Sequence, residues 1–197
     1  MEKSITKINV IGGSMSELNI INNCSPTLAG LKTGNIFNYE IQHNEDVYVS
    51  VENFNNVFKP KGLKMEVLRI KGNVALIYLY RTSALHEDLS SNTTREFLQE
   101  NNYPINSINS CLAKLKERIN ASQEFPHEIG LFIGYPIEDV KGFIEKGADG
   151  SKYCGAWRVY GDVDAAKKRF AIYKKCRDVY CAVYKKNNNF GKLIISK

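Results

Sequence analysis

Two β-prone apolar runs, residues 63–70 and 74–80, are separated only by Lys71-Gly72-Asn73. A linker that short predicts an antiparallel hairpin. Every other apolar segment must then help to cover the hairpin's faces, and most of those segments have a helical period. Asp46 opens a stretch with apolar residues at 47, 51, 54, 57 and 58, closed by Lys59-Pro60. Residues 93–100 and 105–119 read as helices, the second with Ile105, Ile108, Leu112, Leu115 and Ile119 on one face. Asp162 caps a long helix that runs to about 186 and ends at Asn187-Asn188-Asn189. Residues 137–146 form a helix between Pro136 and Gly147. The run Ile129-Gly-Leu-Phe-Ile-Gly134 reads as a buried strand, 153–160 as another, and 193–195 as an edge strand. Near the beginning, 16–22 reads as a short helix. Ser25 and Pro26 then read as the cap and first position of the next one, which Gly34-Asn35 breaks. The expected fold is α+β, with N-terminal helices packed on a largely antiparallel sheet in a single domain over 1–197.

A chain of 197 residues buries roughly two thirds of its unfolded surface and needs no covalent or metal staple. The five cysteines, at 24, 111, 154, 176 and 181, include no C-x-x-C pair, and only His43, His86 and His127 could join them. Neither a disulfide framework nor a zinc site is expected, and no cofactor motif occurs. Ile11-Gly12-Gly13-Ser14 lacks the lysine of a phosphate-binding loop and reads as a turn. No apolar run approaches the ~18 residues of a membrane span. Ile5, Ile8, Val10 and Ile11 are interleaved with polar residues, unlike a signal peptide, so a cytoplasmic protein with no membrane partner is expected.

Charge is the one unbalanced quantity. Residues 141–197 hold 14 basic and 5 acidic side chains, while 1–140 carry a net charge of −3. A basic third invites nucleic acid or another acidic partner. The aromatics of 162–186 recur at core-like spacing, which disfavours a base-stacking surface. The face formed by Lys167, Lys168, Arg169, Lys174, Lys175 and Arg177 instead suits a solvated helix surface or an acidic protein partner.

Three positions suggest chemistry. Cys24 directly precedes the expected Ser-Pro helix start, where free backbone N–H groups and the helix dipole would favour a thiolate and could hold an oxyanion. His127, at the mouth of the expected strand, would be the base. Glu128, Glu145 and Asp139 compete as the acid that orients it, and Asn22 or Asn23 could donate to an oxyanion. His43 and His86 lie in polar, loop-like segments.

The order of a helix-start cysteine and a later strand-start histidine resembles papain-like thiol enzymes. Asn23-Cys24-Ser25 and the His127-x-x-Gly-Leu-Phe-Ile-Gly134 stretch resemble the cell-wall peptidase branch of that superfamily, although 103 positions separate Cys24 from His127. A longer resemblance runs through Cys24-Ser-Pro-Thr-Leu-Ala-Gly-Leu-Lys-Thr-Gly-Asn-Ile-Phe37, Tyr78-Leu-Tyr-Arg81, Phe125-Pro-His-Glu-Ile-Gly-Leu-Phe-Ile-Gly-Tyr-Pro-Ile-Glu-Asp-Val140 and Gly155-Ala-Trp-Arg-Val-Tyr160. These blocks resemble an uncharacterised anaerobic-bacterial family that includes papain-like homologues from polythioamide antibiotic assembly. That resemblance implies a cysteine acyltransferase forming an amide bond. Cys24 would take an acyl chain from an acyl carrier protein thioester, and His127 would serve an amine acceptor. A thiol hydrolase using the same residues, or a non-enzymatic basic binding module, are the alternatives.

Overall fold

The computed structural model describes residues 15–42, 46–122 and 124–196. The Gly12-Gly13 turn and His43 lie outside them. The expected hairpin is present as β2 (Leu63–Lys71) and β3 (Val74–Arg81), and β1 (Gly34–Glu40) pairs with the other side of β3. The order is β1-β3-β2, antiparallel throughout. The chain is thus a mixed α+β fold around a small antiparallel sheet. Gly34-Asn35, expected to break a helix, instead opens β1.

With β3 paired on both sides, alternation along it sends successive side chains to two separate cores. Ala75, Ile77 and Leu79 join one core with Ile20, Ile21, Cys24 and Leu28 of α1 (Glu17–Leu28) and Val51, Phe54 and Phe58 of α2 (Val47–Phe58). Leu76, Tyr78 and Tyr80 join the other. That second core draws on α3 (Thr82–Ser90), α4 (Asn92–Glu100), α5 (Ile108–Ala121), the short α6 (Ile129–Phe132) and α7 (Ile137–Lys146). Leu68, at a bulge in β2, also turns to this second face.

The remaining elements are a small hairpin, β4 (Tyr153–Cys154) and β5 (Arg158–Val159), and the long α8 (Val163–Asn187). Asp162 caps α8 as expected, accepting from the N–H groups of Asp164 and Ala165 at 2.9 and 3.0 Å. Tyr180, Cys181 and Tyr184 of α8 pack against the first core, so α8 covers α1. Trp157, Val159 and Ala166 form a third cluster, joined by Tyr135, Phe170 and Tyr173.

Four expected elements change. Residues 129–134 form one helical turn rather than a strand: Ile129, Gly130 and Leu131 donate to the carbonyls three residues back. A short apolar run has no period that distinguishes a strand from a buried turn. Residues 153–160 split into the two-residue strands β4 and β5. Residues 190–193 form a single 3-10 turn rather than leading into an edge strand. Finally, Glu17–Leu28 is one helix, and Ser25-Pro26 belong to its last turn, not to a helix start. Met15, Ile20, Ile21, Cys24 and Leu28 keep one buried face through that stretch. The proline costs only the Asn22 carbonyl its partner.

Candidate functional site

The shift in α1 changes the setting of Cys24. Its thiol lies in a helix interior, fully buried, seven residues from the N-terminal Glu17. Burial pushes its pKa far above the ordinary thiol range, and nearby Lys32 offsets this only in part. Cys24 is therefore a core thiol rather than a thiolate at a helix N-terminus. Asn22 and Asn23 are exposed; Asn22 accepts from the Cys181 thiol at 3.2 Å, and Asn23 donates to Asn19.

His127 is exposed in the turn before α6, its ring edge-on to Phe143 at 4.8 Å. The helices α6 and α7 beside it pack into the second core, whereas Cys24 belongs to the first. The sheet therefore stands between the expected nucleophile and the segment carrying its expected base. Glu128 is buried and committed elsewhere: it accepts from the Tyr103 hydroxyl and from Arg118 Nε, each at 2.9 Å. Asp139 is also structural, taking the Trp157 indole N–H at 2.7 Å and the backbone N–H groups of Tyr160 and Gly161 at 2.7 and 2.8 Å. Glu145 is exposed on α7. Among the described residues, no Cys-His-acid set is assembled.

Two cavities lie near these residues. The first, about 210 Å³, is an apolar cleft between Phe125, Ile129, Val140, Phe143 and Trp157, with His127 and Arg158 also in its lining. The second, about 430 Å³, is lined by Asn22, Asn23, Pro26, Lys32, Asn35, Tyr135, Ala156, Phe170, Tyr173, Lys174 and Arg177. Tyr135 belongs to both, and its ring stacks on Trp157 at 4.6 Å.

Local sequence explains how the second cavity forms. After α1, Gly30 takes a left-handed φ of +68° and both Leu31 and Lys32 donate their N–H groups to the Pro26 carbonyl. This wrap sets Lys32 just before β1. Thr33 then accepts from the Arg81 N–H at 2.8 Å, anchoring the wrap to the central strand. Gly134, at φ +80°, packs directly on Thr33, where a Cβ would sit 2.7 Å from Oγ1; only glycine allows that approach. Tyr135 follows and is thereby carried to Lys32, whose ammonium lies 5.3 Å from its ring centroid. Phe170, Tyr173, Lys174 and Arg177 arrive on one face of α8.

The second cleft's polarity is one-sided. It holds three cations and three carboxamides, and no acidic side chain lines it. Arg177 reaches Asp178 only at 3.6 Å across half-exposed side chains, a pairing worth about 0–1 kcal/mol. Lys32 is partly buried and, among the described residues, has no carboxylate within 4.0 Å. Desolvation pulls its pKa down to about 8, against a smaller opposing effect of Cys24. Asn35 accepts from the Thr27 hydroxyl at 2.7 Å, leaving its Nδ2 donors without a partner among the described residues. No group of His, Cys, Asp and Glu among the described residues could hold a metal ion.

Sequence reasoning passed over Lys32. It lies inside the long block beginning at Cys24, but a single lysine has no pattern to mark it. Lys174 and Arg177 belong to the charged face of α8, a pattern that does not tie them to residue 32. The convergence of three distant segments on Lys32 was the missing information.

Residues 20–194 match the family described as Protein of unknown function (DUF3793), and the chain belongs to that family. No curated protein and no solved structure matches the chain.

Proposed function

We propose that this DUF3793 protein binds a small organic anion with an apolar or aromatic body, in the cleft between the end of α1, Tyr135 and α8. One observation carries the reading: Lys32 is partly buried, has no carboxylate within 4.0 Å among the described residues, and lines a cavity that also receives Lys174 and Arg177 and no described acid. Partly burying a cation costs free energy unless something offsets it, and a half-buried lysine that shares one space with two exposed cations favours an anion there. Tyr135, Phe170 and Tyr173 supply flat apolar surface beside the charges. Acyl transfer through Cys24 and His127, and with it a papain-like site, draws no support from a buried thiol on the other side of the sheet from the base's segment.

Trp157 is the single tryptophan and touches Tyr135, so its emission reports on the cleft. Titration with aromatic or short-chain carboxylates, phosphates and sulfonates is expected to give a saturable change that weakens with salt. Lys32→Met should lower the affinity at least tenfold and Arg177→Met several-fold, with both variants still folded by circular dichroism. A response unchanged in Lys32→Met would rule out this cleft as the anion site.

A further inference from the structure

We propose that Lys32 is a nucleophile that forms an imine with the carbonyl carbon of a keto acid or aldehyde acid held in the cleft. The inference rests on the anion reading above and names the substrate class of the same site. The geometry divides the labour within the cavity. Lys174 and Arg177, one turn apart on exposed α8, are available to the ligand's carboxylate. Lys32 enters the same cavity from the α1–β1 wrap, and among the described residues no carboxylate lies within 4.0 Å of its ammonium. Asn35, whose Oδ1 is occupied by Thr27, has Nδ2 donors available for a carbonyl oxygen. Tyr135, Phe170 and Tyr173 supply apolar surface on the same lining.

A desolvated lysine loses its proton more readily than one in water, a usual way of making an amine nucleophilic near neutrality. The pKa of about 8 agrees with this placement. In the step itself, the ammonium gives one proton to solvent and the Nζ lone pair attacks the carbonyl carbon, forming the C–N bond. The carbonyl π pair moves to oxygen, which takes a proton. The carbinolamine then expels that oxygen as water with a second proton, leaving a protonated imine. Ammonium plus carbonyl becomes iminium plus water, with no net proton, oxidant or reductant.

The test uses the full chain with pyruvate as probe and borohydride to reduce any imine. The expected product is a single covalent adduct with the mass of pyruvate less one oxygen atom, mapped to Lys32 by peptide mass spectrometry. Lys32→Arg, which keeps the charge, should still bind pyruvate by the Trp157 signal but form no adduct at this position. Arg177→Met should need several-fold more pyruvate for the same yield. Pyruvate binding without an adduct would overturn the imine and leave the anion site standing. Adducts spread over exposed lysines, with Lys32 not preferred, would also overturn it. Absence of both signal and adduct would overturn the imine and count against the anion site for this ligand class.

Discussion

Lys32 and Cys24 are close enough to shift one another's titration, yet burial acts on them in opposite directions, because it favours whichever form is neutral. For the lysine this predicts a pH effect. An anion needs the protonated form, and the free protein's amine titrates at about 8. Affinity should be level below that pH and then fall by up to tenfold per unit. Titrations from pH 6 to 10 check this, and Lys32→Met should be flat across the same break. The same amine lowers stability while it is held charged. Between about 8 and the ordinary lysine value of 10.5, the unfolded chain binds more protons than the folded one, so Lys32 makes stability rise with pH in that window. For the thiol, burial predicts inertness. Native alkylation with iodoacetamide should modify exposed Cys154 and spare Cys24 until denaturant is added. Labelling of Cys24 in the native protein would contradict its position in the core.

Among the elements, α1 differs most from its sequence reading. Ser25-Pro26 is a good helix start by local rules, and nothing local reveals that the helix has already run from Glu17. Tertiary contacts decide it. Arg81, buried at the end of β3, donates Nε to the Thr27 carbonyl at 2.7 Å and Nη2 to the carbonyls of Leu28 and Ile195 at 2.5 and 2.8 Å. One guanidinium thus ties the C-terminal end of α1 to β3 and to residue 195, adding charged donors to the Thr27 and Leu28 carbonyls, which also accept from the N–H groups of Gly30 and Ile195. Its Nη1 has no partner, so the arrangement is not fully satisfied. Charge-assisted bonds of this kind are worth about 1.5–3 kcal/mol each, and removing the guanidinium loses three of them while the Thr27 and Leu28 carbonyls keep their backbone donors. Arg81→Met is expected to lower stability by about 3 kcal/mol, read as a shift in urea midpoint at constant slope. Helix α6 is an opposite case: its apolar run identified a buried segment correctly, while its conformation depended on a close approach to Thr33 that the sequence does not display.

Across the whole molecule, the legible parts were those specified by short-range chemistry. The β2–β3 hairpin and the Asp46 and Asp162 caps each depend on neighbours within a few positions. What was not legible depends on which face of the sheet a segment occupies. That choice separates Cys24 from the segment of His127 and brings Lys32, Tyr135 and Arg177 together. The doubly paired strand β3, buried along nearly all its length, should be the last part to open. In native-state hydrogen exchange its amides should exchange only with global unfolding, while those of α8 exchange through smaller openings. Exchange from β3 as fast as from α8 would contradict this ordering.

The pairing of α1 with α8 also has a consequence for biogenesis. Tyr184 donates to Glu17 at 2.7 Å and Cys181 to Asn22 at 3.2 Å, contacts that span 167 and 159 positions. Translation delivers the sheet and most of the second core well before it delivers α8. A nascent chain at that stage has α1 half uncovered and only one wall of the Lys32 cleft. Closing so long a loop is slow, so the interval leaves apolar surface open to chaperones or to self-association. The cleft proposed above is complete only when α8 docks, and the first core only when Phe190, Leu193 and Ile194 follow.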